Sequence, residues 1–497
     1  GTAHCGRVGS RRLAKGTSVW RSPSFVCGIW SNFLCVNFIS LPIVTLYLKN
    51  VMYIKLIQPK MHKRVMDTDL KSRLSPPLGL YTIANMFKEA HRISVENENV
   101  GAIDFDDKPD IVGISINVDS INRAKEIAAK FRVQGIPVVA GGILVTTALK
   151  FIPEDAFDVF CIGHAEGTWP QIISDFQSGT LQKVYRCRQD IKPEDIVPPA
   201  YDMMNRAEYL YCNIIHTSRG CPFRCDFCYN SSPERKYVNR CLDDVLTEIK
   251  NSRCKHIMFI DDNFIGNLKW TRELLQELKK NKIKWNAAVS INVVNIPGLL
   301  DEMKESGCQG LFIGFESINR GSIDNVHKVQ NNVKDYEYAV EQIHKRGIMI
   351  NASFVFGLDS DTPETFAATV DWIVKNKIET VTSHILTPYP GTITYDVMNS
   401  EGRILTNDFS LYDTAHVVMQ PKNMTPEELY QGYLYVYRSV YSFKNIIRRI
   451  PRSYKQIPAY LMFNFFYRKW GVFTDWLCKK ITYERIGFWG EKLSKYI

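Results

Sequence analysis

Short runs rich in Val and Ile recur through most of this chain, and they alternate with stretches whose apolar residues return every three to four positions. MYIKLIQP (52–59), DIVGISI (110–116), IPVVAGG (136–142) and DVFCIG (158–163) read as strands. Between them lie helical stretches such as LGLYTIANMFKEA (78–90) and NRAKEIAAKFRVQG (122–135), the second closed by Gly135 as a C-cap. Strands separated by single helices imply an α/β fold with a doubly wound parallel sheet, whose ligands gather at the carboxyl ends of the strands. A second series follows: YCNIIHTS (211–218), HIMFIDDN (256–263), KWNAAVSI (284–291), GLFIGFES (310–317), MINASFVFG (349–357) and TVTSHILTPYPG (380–391). Six βα units fall short of the eight of a closed barrel, which predicts a partial, open (β/α)6 barrel with its chemistry on the C-terminal rim. The expected domains are therefore 52–185, a Rossmann-like sheet; 186–210, a linker with Pro193, Pro198 and Pro199; 211–395, the barrel; and 396–497, a helical region.

Charge is unevenly placed along the 497 residues. The net charge is +10, but residues 1–51 hold six cations and no acid, and residues 431–497 hold thirteen cations and three acids. The body between them is acidic, which argues against a long nucleic-acid groove. Arg7, Arg11, Arg12, Lys15 and Arg21 precede an uncharged run from Ser22 to Leu48, and Ser31, Asn32, Asn37, Ser40 and Pro42 dilute that run. Residues 1–51 read as a leader or tag, with a membrane anchor as the alternative. The last 67 residues carry 18 of the 59 aromatics, interleaved with Lys and Arg. The expectation there is a helical subdomain packed on the body, with contact at a membrane surface as the rival.

Thirteen cysteines, an odd number spread over a long chain, speak against a small secreted disulfide scaffold. Three of them carry the chemistry. SRGCPFRCDFC places Cys221, Cys225 and Cys228 just past the first barrel strand, in the spacing C-x3-C-x2-C. Three thiolates on one loop are soft ligands for an iron–sulfur cluster or zinc. Structural zinc wants four ligands, and Cys241 and Cys254 are wrongly spaced to complete a site. Three ligands on a 4Fe–4S cluster leave one iron open to bind a substrate. Glu316, an acid at the end of an otherwise apolar strand, is costly there without a partner and so is a functional candidate.

The triplet, with the aromatic Phe227 before the last Cys, resembles the radical S-adenosylmethionine (SAM) enzymes. TSRGCPFRCDFC, LFIGFES, FVFGLD, ILTPYPGT, EGRIL and HVVMQPKNMTPEEL, together with the preceding α/β domain, resemble more closely the cobalamin-binding-domain radical SAM proteins that include the hopanoid methylases. The likeness covers about 52–445. It implies that Cys221, Cys225 and Cys228 hold a 4Fe–4S cluster, whose open iron chelates SAM and whose electron yields a 5′-deoxyadenosyl radical. It implies that FIDDN (Asp262, Asn263), GFES (Glu316, Ser317) and SFVFG (Ser353) meet SAM. It further implies cobalamin over the rim, with Ser115, Gly141, Gly142, Gly163 and Glu166 on the ligand-facing loops. The Asp-x-His-x-x-Gly signature that supplies an axial His elsewhere is absent. His164, His216 and His384 are read as satisfied polar residues, with axial ligation by His164 and substrate contact by His384 as rivals. Asp261 and Asp262 have the alternative of capping a helix.

The function expected is a radical SAM methyltransferase acting on an unactivated carbon, such as that of a lipid, served by an external one-electron reductant. The alternatives are a radical SAM enzyme without methyl transfer and a non-enzymatic iron–sulfur or zinc module. An oxygen-sensitive cluster and free thiols imply a reducing, cytoplasmic setting, with membrane association left open.

Overall fold

A computed structural model describes residues 51–494 apart from 63, 65, 66, 188, 189 and 253. The leader or anchor expected in 1–51 lies outside the described residues, apart from Val51. Two six-stranded parallel sheets dominate. The first has strands β1 (Tyr53–Gln58), β2 (Arg92–Asn97), β3 (Ile111–Ser115), β4 (Val138–Gly141), β5 (Val159–Ile162) and β6 (Val184–Arg186), in the order β2-β1-β3-β4-β5-β6. The order reverses between β1 and β3, so their carboxyl ends open a crevice at the switch point. Apolar residues face both ways along these strands, because helices cover both faces. Ile57, Val112 and Ile114 pack against the helix Ile121–Val133. Ile54, Leu56 and Val139 pack against Leu80 and Ile83 on one side helix and Trp169 and Ile172 on another. Lys55, fully buried in β1, is held by Glu96 at 2.9 Å and Asp107 at 2.8 Å.

The strands expected at 52–59, 110–116, 136–142 and 158–163 are present, each trimmed by a residue or two. Two were not foreseen. β2 is an edge strand of half-exposed residues, and β6 is three residues long. The stretch 190–210, part of the expected linker, packs against the body. Ile196, Ala200, Met204 and Tyr209 are buried along it.

The second sheet comprises β7 (Ile214–Ile215), β10 (His256–Phe259), β11 (Lys284–Val289), β12 (Cys308–Glu316), β13 (Met349–Phe356) and β14 (Thr380–Ile385), neighbours in sequence order. This is the partial barrel expected. A small antiparallel hairpin, β8 (Ser218–Arg219) with β9 (Val238–Asn239), clamps the base of the cysteine loop. Along β11, β13 and β14 the residues facing outward are buried against helices. Those facing inward, such as Asn286, Asn351, Thr382 and His384, keep accessible surface. Phe312, at the centre of a central strand, is 37% exposed. Strand alternation puts it on the inner face, so the barrel lumen is hollow.

β14 is an open edge, and the C-terminal region covers it. The helix Pro426–Val440 packs on the helix Pro363–Lys375 and on β14. The Tyr441 hydroxyl accepts from Val381 N–H at 2.9 Å and donates to Val381 C=O at 2.6 Å. The Tyr437 hydroxyl takes the same position at Ser383, at 3.4 Å both ways. Side-chain hydroxyls thus satisfy backbone groups that a further strand would otherwise pair. Among the described residues no helix is long and apolar enough to cross a membrane.

Candidate active site

The cysteine loop leaves the barrel at the end of β7. Asp261, at the end of β10, is buried and accepts from the Thr217 N–H (2.8 Å), the Thr217 hydroxyl (3.1 Å) and the Ser218 hydroxyl (2.8 Å). It pins the start of the loop, and the cap of the following helix is Asn267 instead. Farther on, Cys228 N–H donates to Cys225 C=O at 3.0 Å, and the Ser231 hydroxyl donates to the same carbonyl at 2.7 Å. These bonds fold Cys225 and Cys228 into one turn. Burial pushes all three thiols up, Cys228 to about 12, while Lys328 opposes the shift at Cys221 and Cys225. Among the described residues no three Cys, His, Asp or Glu side chains are already gathered at metal-binding distance. The case for a cluster therefore rests on the donor set. Desolvated thiols, costly as free thiolates, fit a strongly cationic iron site that deprotonates them.

Glu316 ends β12 with φ +61, a left-handed conformation that costs a non-glycine residue about 1–3 kcal/mol. The strand slips register against β13 there. The carboxylate is buried and forms an ion pair with buried Lys328, whose ammonium also donates to Gly314 C=O at 2.9 Å. A Cβ on Gly314 would stand 2.7 Å from Lys328 Nζ and collide with the Glu316 carboxylate, so glycine here makes room for the pair. Lys328 has no local sequence signal; only the fold brings it to the rim. Gln330, from the same loop, donates to Cys225 Sγ at 3.6 Å.

The other expected SAM residues divide. Asp262 is exposed on the rim and pairs with Arg235 at 3.3 Å. Asn263 is buried and uses both ends of its amide on Ser290, at 3.3 Å each. It braces the ends of β10 and β11. The Ser317 hydroxyl accepts from Asn319 N–H at 3.0 Å and shapes the turn after β12. Ser353 lies on the lumen face, in register between Gly314 and Thr382. Phe227 packs against the barrel core.

Between the first sheet's carboxyl edge and the barrel lies a cavity of about 470 Å³. Ser115, Gly141, Gly142, Gly163 and Glu166 all line it, as do Arg219, Tyr229 and Asp262 from the barrel side. Gly142 has φ +99, and a Cβ there would stand 2.7 Å from Ile116 N, so only glycine turns the chain so tightly under the cavity. Glu166 is not free to meet a ligand alone. Its carboxylate takes both arms of Arg219 at 2.6 and 2.9 Å, which ties the first domain to the cysteine loop. Burial works to raise the Glu166 carboxyl, but that guanidinium holds it below its ordinary value.

His164 accepts from Arg219 at 3.1 Å through Nδ1, and burial together with that cation pushes its pKa down to about 4. Its Nδ1 is thereby engaged. His216 also lines the cavity; its buried Nδ1 has no hydrogen-bond partner among the described residues, and burial and then Arg219 push its pKa down to about 3. Tyr389, on the loop after β14, meets Tyr229 edge-on at 6.5 Å, joining the last rim loop to the cysteine loop. His384 lies in the lumen, bonded to Thr414 Oγ1 at 3.0 Å. Glu166 was expected on a ligand-facing loop, but its pairing with Arg219, some fifty residues later, has no signal in the sequence.

Residues 215–373 are a radical SAM domain, matching the family described as the radical SAM superfamily. The chain is 29% identical over 436 residues to the bacteriochlorophyllide d C-12(1)-methyltransferase of Chlorobaculum tepidum, covering 83% of this chain and 93% of that one. It is 27% identical over 350 residues to the hopanoid C-2 methylase of Rhodopseudomonas palustris, covering 67% and 66%. Among solved structures it resembles the radical S-adenosylmethionine methyltransferase TsrM from Kitasatospora setae, solved with cobalamin and a [4Fe-4S] cluster bound. That match has a TM-score of 0.58 at 17% identity and covers 71% of this chain and 75% of the other, a likeness of fold. The resemblance drawn from the cysteine motif and its companion stretches is thus borne out.

Proposed function

We propose that this protein is a radical SAM enzyme that methylates an unactivated carbon of a small-molecule or lipid acceptor with the help of cobalamin. One observation carries the reading: a loop with three desolvated thiols stands on the rim of a hollow βα barrel, against a glycine-turned cavity at the strand ends of a second parallel sheet. The relatives named as methyltransferases support it. Cys221, Cys225 and Cys228 would hold the 4Fe–4S cluster, which with bound SAM and an external one-electron reductant supplies reductive cleavage of the cofactor. Ser115, the Gly141–Gly142 turn and Gly163 would hold cobalamin, which supplies the methyl carrier.

The chain's own groups bind, orient and exclude water. Lys328 pairs with Glu316 and holds it in its strained position, so that the side chain is a fixed group at the rim. Asp262 offers a second carboxylate beside the thiols. Arg219 and Glu166 hold the cavity and the cysteine loop in register, and Tyr229, which lines the cavity, packs edge-on against Tyr389.

The test uses the full chain with the cluster rebuilt anaerobically. About one cobalamin per cluster, with S-adenosylhomocysteine formed alongside a methylated product, is expected. Cluster without cobalamin, and SAM cleavage without S-adenosylhomocysteine, would turn the reading to a radical SAM enzyme that does not methylate. No SAM cleavage by the reduced wild type would leave a non-enzymatic module.

An anionic bilayer surface is the partner we assign to the C-terminal exterior. Phe466, Trp470, Phe473 and Trp476 are exposed, with Phe466 packed on Trp470 and Phe473 stacked on Trp476; Lys469 sits over Phe443 at 5.1 Å. Exposed aromatics among cations suit a lipid interface. Because Tyr460 and Asn464 in the same region are buried, the test replaces the surface alone. The triple variant Trp470→Ser, Phe473→Ser, Trp476→Ser should lose co-sedimentation with phosphatidylglycerol vesicles while keeping its melting temperature; unchanged co-sedimentation overturns the assignment.

A further inference from the structure

Two arginines of the C-terminal region differ in a way that points into the lumen. Arg449 is wholly buried, and its guanidinium donates to the carbonyls of Ile378 (2.7 Å), Glu379 (3.0 Å) and Val440 (2.7 Å) and to Asn464 Oδ1 (3.1 Å). It staples the barrel's last strand to the helices, and its donors are largely consumed. Arg468, in the π-helical turn Met462–Lys469, is half-buried and donates to Thr382 Oγ1 at 3.2 Å. Its guanidinium lies over the rings of Tyr467, Tyr441 and Tyr437, at 5.0, 5.7 and 5.9 Å. Among the described residues no carboxylate pairs with it. A charge so enclosed, with donors to spare, is costly unless something anionic meets it.

Its position says where that would be. Thr382 is in register with Ser353 and, through it, with Gly314, so the three form one layer across the lumen. Two further cations stand behind. Arg64 donates to Thr414 Oγ1 at 3.1 Å, and Thr414 joins it to His384, two residues beyond Thr382 on the same face. Thr414 holds this bridging place with φ +66, a strained conformation. Lys71 pairs with Asp67 at 3.0 Å, and Arg64 approaches the same carboxylate at 3.6 Å, so one acid serves two cations. Asp413 is spent on the N–H groups of Ala415 and His416 and on the His416 ring. Asp119, in the turn after β3, is a further acid near Arg64, and burial raises its carboxyl toward the neutral form. Burial first, and then Arg64, Lys71 and Arg468, keep His384 neutral, with a pKa of about 3. Of the other lumen positions, Ala288, Gly310, Phe312 and Val355 are apolar or small, beside the amides of Asn286 and Asn351.

We propose that the lumen takes an acceptor with an apolar body and one anionic oxygen group, carboxylate or phosphate, bound by Arg468 with Arg64 and Lys71 behind it. This rests on the lumen being the acceptor site of the methyl transfer proposed above. Arg468 is a binding residue here, and its planar fork matches both anions.

The experiment measures binding to the full chain, cluster rebuilt, by calorimetry with dodecanoate, dodecyl phosphate, dodecanol and inorganic phosphate. Both alkyl anions should bind about tenfold or more tighter than the alcohol, and inorganic phosphate should bind weakly by itself. The tighter of the two alkyl anions names the group. Arg468→Gln should erase the difference between anions and alcohol, Arg468→Lys should keep part of it, and SAM affinity should stay unchanged in both. Equal binding of alcohol and anions overturns the proposal. So does an anion preference that survives in Arg468→Gln, or a loss of SAM affinity in place of it. Should Arg468→Gln fail to fold, Arg64→Gln carries the same comparison, with a preference reduced by roughly threefold expected and an unchanged one contrary. Binding needs no turnover. A protein that held the anions but made no S-adenosylhomocysteine would lose the methyl-transfer reading and keep the pocket.

Discussion

Both halves of the molecule are built on six parallel strands, yet the first sheet is filled on both faces while the second is packed outside and empty within. The two follow the same alternation of strand and helix, so the difference lies in the residues at alternate strand positions. In the first sheet both sets are large and apolar, as with Leu56 on one side and Ile57 on the other. In the barrel the outward set is equally apolar, but the inward set mixes Phe312 and Val355 with the small or polar Asn286, Ala288, Gly310, Gly314, Asn351, Ser353, Thr382 and His384. Small and polar side chains among them leave space that packing does not fill, and there the proposed acceptor would sit.

The contrast is most directly broken by truncating one large residue in each sheet. Leu56→Ala, in the filled sheet, should cost about 2–5 kcal/mol and lower the melting temperature. Phe312→Ala, in the hollow one, should cost less than about 1.5 kcal/mol and change acceptor affinity instead. Equal losses of stability would mean that the lumen is packed after all.

A smaller effect is expected of Gly314→Ala. The added methyl has no free space beside Glu316 and Lys328, so about 1–3 kcal/mol of stability should go. SAM affinity should fall with it, by roughly tenfold, as the carboxylate is pushed from its place. A variant that bound SAM normally would remove Glu316 from the cofactor site.

The smallest effect is a slope with pH. His384 is held neutral with a pKa of about 3, whereas the unfolded chain protonates histidine near pH 6.5. Below that pH the unfolded state takes up the proton and the native state does not, so stability must fall as pH drops from about 6.5 toward 3. The slope from this residue is under about 1.4 kcal/mol per pH unit, because the ring keeps some contact with the open lumen. Melting temperatures at pH 7, 6 and 5 should decline less steeply in His384→Gln; parallel declines would place the ring in ordinary solvent.

Where sequence reading succeeded and where it stopped follow from how local each signal is. The central strands announce themselves, because burial on both faces or on the helix side demands unbroken or alternating Val, Ile and Phe. β2, RISVEN at a half-exposed edge, carries no such demand and looks like a loop. The cysteine triplet is legible because its three thiols share one loop. The pairings of Lys328 with Glu316 and of Arg219 with Glu166, and the place of Arg468, are illegible, since each depends on a partner brought near only by the fold. Asn263 and Asp261 show the converse. A polar residue at a strand end can serve a cofactor or brace a neighbouring backbone, and here both brace.

Tyr437 and Tyr441 have a consequence for how the protein is made. Each hydroxyl imitates, at β14, the paired donor and acceptor of a neighbouring strand. Both belong to the stretch from Pro426 to Tyr441, which leaves the ribosome after the last barrel strand. Until it emerges, a nascent chain carries a finished sheet with a bare, apolar-flanked edge, the kind of surface on which chains join one another. Chains that stop short of residue 426 should therefore aggregate during synthesis, however sound their barrel, and the last helices serve as the chain's own chaperone before they serve its chemistry.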